Sequence, residues 1–401
     1  MAEISFDNTG NAFAYKSDKA LKKAHFLFSS MGYSTLVKWG TRLTPWAIRA
    51  GLPINGMIRS TIFEQFVGGE TLEETASVAK HLAEYNVGVI LDYGVEGKEG
   101  EDNFDHATEE FIRVIRYAAS QPNIPLMSIK VTGFARFGLL EKLDRLADGA
   151  RGEIRLESLI ASERTEWGRV SRRMREICQT AADSRIGVLV DAEESWIQNT
   201  VDALTMQMMD AFNRDRVVVY NTIQLYRHDR LAFLKHSYEA AHEKGFVLGA
   251  KLVRGAYMEK ERKRADQLSY PSPIQPNKEA TDRDYDLGVT FCIQHIEDIA
   301  LIVASHNENS NLLAARLLEQ RNLPLNHPHV HFSQLYGMSD NITFNLAKAG
   351  CPVSKYLPFG PIKDVIPYLM RRAQENSSVS GQTGRELGLI KKELKRREEN
   401  R

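Results

Sequence analysis

Arg371 and Arg372 stand side by side in YLPFGPIKDVIPYLMRRAQENSS, residues 356–378. At ~100° per residue of helix, Tyr368, Arg371, Arg372 and Glu375 fall within roughly a 100° arc, with Leu369 and Ala373 to one side of it. Pro361 and Pro367 each lack an N–H, so the sequence predicts a short turn and then a new helix with Pro367 at its first position. An arginine pair is usually a solvated face. Its other use is recognition of an anion, because a guanidinium fork matches a carboxylate bidentately.

Further polar residues stand where short apolar runs end. Lys130 closes one such run, Asp191 another and Gln224 a third; Lys251 and Arg254 follow, then Ser305-His306-Asn307, then Tyr356. Each alone suits a structural ion pair, but together they suggest anion capture without a metal: Lys130, Arg371 and Arg372 on a carboxylate, with Asp191 and Glu375 balancing their charge. His327, His329 and His331 alternate in HPHVH with no acidic residue among them, so no metal site is expected.

The elements that must position these residues are eight β-branched runs: 87–93, 125–132, 186–193, 217–224, 246–255, 299–306, 330–335 and 353–359. Near-continuous apolar strands alternating with helical stretches imply parallel βαβ units. Eight of them favour a (β/α)8 TIM-type barrel of the α/β class over an open sheet, with its site at the C-terminal strand ends. Residues 1–85 read as a helical N-terminal arm or cap, 86–380 as the barrel and 381–401 as a charged C-terminal helix or solvated tail. Thr71 and Glu74 signal a helix start. The segment 258–277, charged and then Pro-rich, suggests an excursion able to cover a site.

With 52 basic and 52 acidic side chains the chain has no general field for nucleic acid or an anionic membrane, so recognition of an anion must be local. Three widely spaced cysteines argue against a disulfide framework. No run reaches the ~18 apolar residues of a membrane span. The start shows neither a secretory signal nor a clear transit peptide, so a cytoplasmic location is expected. No GxGxxG or P-loop is found, and a redox cofactor would have to sit at the barrel mouth.

KLVRGAY (251–257), ASHN (304–307), QLYGM (334–338), YLPFG (356–360) and YLMRRAQENSS (368–378) occur in that order. Together they resemble the proline dehydrogenase family, FAD-dependent (β/α)8 barrels that oxidise L-proline to pyrroline-5-carboxylate; the likeness runs from about Val87 to Ser378. It implies that Lys130, Arg371 and Arg372 bind the proline carboxylate while Leu335, Tyr356 and Tyr368 wall the ring. It makes Asp191 and Lys251 catalytic, and Ala192, Gln224, Lys251, Arg254, Gly255, Ala256, Ser305 and His306 cofactor-binding. Glu96 would pair with Arg371 as a gate. The reaction implied is hydride transfer from proline C5 to flavin N5.

Relative to many bacterial members, Lys251 and Arg254 exchange lysine and arginine, as in mitochondrial-type members, and Ser305 replaces a threonine while keeping its hydroxyl. The resemblance also implies a quinone acceptor, hence peripheral contact at the inner face of a membrane, and a separate pyrroline-5-carboxylate dehydrogenase downstream. LVKWGTRLTPWAIRAGLP (36–53) reads as a packed cap, with an interfacial helix as the alternative. Two other enzymes compete: a 4-hydroxyproline dehydrogenase, which the bulk of Tyr356 disfavours because selective members carry a smaller residue there, and an aldolase-type barrel with a Schiff base on Lys130. A non-enzymatic barrel that senses an amino acid is a third.

Overall fold

A computed structural model describes residues 4–31, 55–94, 99–378 and 380–400. The segment 36–53 and Glu96 lie outside the described residues. Eight parallel strands form a closed barrel: β1 (Gly88–Tyr93), β2 (Leu126–Ile129), β3 (Gly187–Val190), β4 (Val219–Gln224), β5 (Leu248–Val253), β6 (Ile299–Ala304), β7 (Val330–Leu335) and β8 (Val353–Phe359). Their order around the barrel is their order in the chain, with β1 beside β8. This is the expected (β/α)8 architecture. Several strands are shorter than the apolar runs that announced them, and Lys130, Asp191 and Arg254 lie just past the carboxyl ends of β2, β3 and β5 while Gln224 and Lys251 stay in the ladder.

Two contact units divide the described chain, one made of Met1–Val95 with Ser333–Arg401 and the other of Glu96–Phe332. In the first, helix Asp18–Met31 packs against helix Ser380–Glu399. Leu21, Ala24, Phe28 and Met31 share a core with Leu369, Leu389 and Ile390. The charged C-terminal stretch is therefore no solvated tail: Glu386, Leu389, Ile390 and Glu393 are buried on one face at i, i+3, i+4, i+7 spacing. Arg397 ties that helix to Asp18 at 2.8 Å and to the Lys16 carbonyl at 2.9 Å.

Lys355 on β8 is fully buried and pairs with Asp340 at 2.9 Å. Burial opposes the charge of Asp340, but Lys355 and Lys16 hold its carboxyl below the usual range. Gly337 has φ +79°, and a Cβ there would lie 2.0 Å from the Gln65 carbonyl oxygen, so only glycine fits.

The sequence signal at Thr71 holds: its hydroxyl accepts from Glu74 N at 3.3 Å and caps helix Leu72–Ala83. The Glu74 carboxylate, however, accepts from Glu70 N at 2.9 Å. The helix carrying the arginine pair begins at Ile362, not Pro367. The carbonyl of Pro361 nucleates it by accepting from Asp364 N and Val365 N at 2.8 and 3.2 Å. Pro367 then lies inside the helix, where its missing N–H removes only the bond to the Lys363 carbonyl.

In the second unit, helix Glu101–Ala119 packs on helix Ala161–Ser184 through the buried Arg173, which bonds Asp105 at 2.8 Å and Glu101 at 2.5 Å. Helix Phe137–Asp144 and a small antiparallel pair, Ala147–Asp148 with Glu153–Ile154, fill the rest of the gap before β3. The sequence showed no alternation long enough to announce either.

Candidate active site

The carboxyl ends of β2, β3 and β5 bring three ionisable groups together. Lys251, only 6% exposed, donates from Nζ to Asp191 Oδ1 at 2.6 Å, and Lys130 lies 3.6 Å from Asp191 Oδ2. Two ammonium groups against one carboxylate leave a net positive charge. Lys130 and Asp191 each occupy the first position after a strand, whereas Lys251 sits two residues inside β5.

Beside this cluster Glu193 is buried and accepts from the Thr132 hydroxyl at 2.5 Å and from Thr132 N at 3.2 Å. Burial pushes its carboxyl up to about 7, against the pull of Thr132 and Lys130. The Glu193 carbonyl accepts from Gln224 Nε2 at 3.1 Å, while Gln224 Oε1 is buried with no hydrogen-bond partner among the described residues. A buried carbonyl left unmet costs about 1–3 kcal/mol, so it points to a ligand donor. Sequence reasoning named Gln224 but missed Glu193 and Thr132; the acidic pair in DAEE directly after β3 was the available signal.

Arg254, one residue past β5, donates to Asp282, Ser305 and Ser310. Gly255 follows with φ +137°, and a Cβ there would lie 2.4 Å from the Tyr226 ring. Any larger residue would displace that ring and fill the space over the strand end. Ala192 is buried, while Ala256 and Gly255 are exposed. Ser305 and His306 directly follow β6, with Ser305 buried. No group of three or more His, Cys, Asp or Glu able to hold a metal ion occurs among the described residues, and His329 Nδ1 is within 2.7 Å of the Ile296 carbonyl oxygen.

In the other unit, Leu335 and Tyr368 pack on one apolar core. Tyr356 lies buried in the middle of β8, its carbonyl accepting from Tyr336 N at 2.9 Å. Arg372 is only 7% exposed and stacks 5.2 Å from the centre of the Tyr368 ring; Arg371 is half-buried. The pair is therefore not the solvated face that adjacent arginines usually form. The side chain of Glu375 lies outside what the structure describes.

A closed parallel barrel with buried ionisable groups at its strand ends defines the class of (β/α)8 proteins whose sites lie at the carboxyl face. The chain belongs to the proline dehydrogenase family: the family model described as proline dehydrogenase matches residues 75–385. It is 34% identical over 379 residues to the Dictyostelium discoideum protein named proline dehydrogenase 1, mitochondrial, covering 86% of this chain and 66% of that one. It is 31% identical over 431 residues to a Xenopus laevis protein named hydroxyproline dehydrogenase, covering 98% and 90%. Among solved structures, proline utilization A from Bdellovibrio bacteriovorus, inactivated by N-propargylglycine, superposes with TM-score 0.72 at 19% identity, over 94% of this chain and 42% of that one. At that identity the likeness is one of fold.

Proposed function

We propose that this protein oxidises L-proline to pyrroline-5-carboxylate with FAD. The observation that carries the reading is the Asp191 carboxylate bridging Lys130 and Lys251 at the strand ends of a chain in this family. Such a site is built for a small anion. Lys130, Arg371 and Arg372 are assigned to the substrate carboxylate, and Leu335, Tyr356 and Tyr368 to its ring. Fixing the carboxylate at one end orients the far carbon of the ring, which is positioning rather than covalent catalysis. Asp191 holds Lys251 in place and compensates its charge.

The residues fit the cofactor. Gln224 Oε1 is a buried acceptor awaiting a donor, which the N–H on the pyrimidine edge of an isoalloxazine provides. Lys251 and Ala192, the residue after Asp191, are assigned to the same edge. Arg254, Gly255, Ala256, Ser305 and His306 are assigned to its ribose and phosphates. When bound, FAD accepts the hydride. The proposed electron acceptor is a quinone, reached by peripheral contact with a membrane, and the product passes to a separate pyrroline-5-carboxylate dehydrogenase. No helix among the described residues is long and apolar enough to cross a membrane.

The first test is the visible spectrum of the purified protein under anaerobic conditions. A flavin band near ~450 nm is expected, bleached by L-proline and much more slowly by 4-hydroxyproline. The second reading, hydroxyproline oxidation, is favoured by the Xenopus laevis relative and opposed by the bulk of Tyr356. Faster bleaching by 4-hydroxyproline would establish it instead, and a protein that neither contains nor takes up flavin would sink both. Glu96 is proposed to gate entry by pairing with Arg371; substrate release that Glu96→Gln leaves unaltered would count against the gate.

A further inference from the structure

The Arg254 guanidinium is held at every edge. Its Nε donates to Asp282 Oδ1 at 2.7 Å, Nη1 to Ser305 Oγ at 2.6 Å and Nη2 to Ser310 Oγ at 3.0 Å. Its central carbon lies 4.3 Å from the centre of the Tyr285 ring. Asp282 and Tyr285 are three residues apart on helix Lys278–Gln294, so one helix face supplies both the carboxylate and the ring. Ser310 is fixed in turn by donating to Asp286 Oδ1 at 2.6 Å, one residue further along that helix. The Tyr285 hydroxyl donates to the Leu252 carbonyl on β5 at 3.2 Å, tying the helix to the strand that Arg254 directly follows.

Three directed bonds and a stacked face fix the plane of the guanidinium. Of its five N–H groups, three are committed in these bonds and two are left. We propose that Asp282 is a positioning residue for cofactor binding: it fixes the orientation in which Arg254 offers its remaining N–H groups to phosphate oxygens. The inference rests on the reading of Arg254 as a cofactor-holding residue. Ser305 and Ser310 contribute neutral acceptors, whereas Asp282 is a charged acceptor, shared with Lys278. A role limited to charge compensation makes the opposite prediction, because removing a carboxylate beside an anion site strengthens anion binding.

The experiment follows FAD release from the purified full-length holoprotein on dilution, read as the rise in free flavin fluorescence. Asp282→Ala is expected to speed release about tenfold or more, and Asp282→Asn less than about threefold, since its amide oxygen still accepts from Nε. Asp282→Glu keeps the charge but displaces it by a methylene, and is expected to release faster than Asp282→Asn. It also serves as the second variant should Asp282→Ala not fold. In an Arg254→Ala background, Asp282→Ala should add nothing further.

Release from Asp282→Ala or Asp282→Glu that equals or is slower than wild type overturns the proposal. So does an undiminished effect of Asp282→Ala in the Arg254→Ala background. A wild-type protein that holds no flavin removes the cofactor reading itself, an outcome distinct from a flavin-loaded protein indifferent to Asp282.

Discussion

At the scale of the residue, the buried Arg372 carries the sharpest test of the proposed function. A guanidinium that is nearly out of water and stacked on Tyr368 has already met part of its desolvation cost in the folded protein, so in the carboxylate-binding role proposed for it Arg372 would be a preorganised partner. A charge-assisted hydrogen bond contributes ~1.5–3 kcal/mol, and a loss of that size corresponds to tenfold or more in affinity. Arg372→Ala is therefore expected to raise the KM for proline at least about tenfold with a smaller effect on kcat. Steady-state kinetics across a proline titration checks this, and near-unchanged kinetics would remove the carboxylate assignment. Asp191 acts differently: it is bonded to Lys251 without any ligand, so its loss should disturb the site before substrate arrives.

At the scale of the element, the strands were legible because a parallel barrel buries both faces of each strand and so writes continuous apolar runs into the sequence. The polar residues that end those runs were legible for the same reason: Lys130, Asp191, Gln224 and Ser305 each interrupt an apolar stretch. What sequence could not show was burial decided by another element. Helix Ser380–Glu399 has 20 residues, many of them charged, yet one narrow stripe packs on helix Asp18–Met31, far away in the chain. Truncating a buried leucine to alanine costs about 2–5 kcal/mol. Leu389→Ala should thus lower the thermal midpoint by several degrees while leaving the flavin spectrum of the folded protein unchanged. A midpoint within a degree of wild type would mean that the C-terminal helix does not stabilise the fold.

At the scale of the whole molecule, two buried acids make stability depend on pH. Burial pushes Glu193 and Glu386 each up to about 7 in the folded protein. Both bind protons more tightly folded than unfolded, so the stability they provide is full below the unfolded value near ~4.3 and is lost as pH rises through about 7. His331, which burial drives down to about 4, works in the opposite sense: it adds stability as pH rises from about 4 to its unfolded value near ~6.5. The two effects overlap, and comparing variants separates them. Relative to wild type, Glu386→Gln should gain thermal stability at pH 8 over what it shows at pH 5, by on the order of 3 kcal/mol. A difference that does not change with pH would mean that Glu386 is ionised throughout.

The pairing of helix Asp18–Met31 with helix Ser380–Glu399 also sets a timetable. The first is made roughly 350 residues ahead of its partner, a gap on the order of tens of seconds at the usual rate of synthesis. Through that interval Leu21, Ala24, Phe28 and Met31 lack the part of their cover that Leu369, Leu389 and Ile390 supply, although Phe63 and Phe66 of the same core are already made. The nascent chain therefore has to keep part of an apolar helix face from wrong partners until helix Ser380–Glu399 is made.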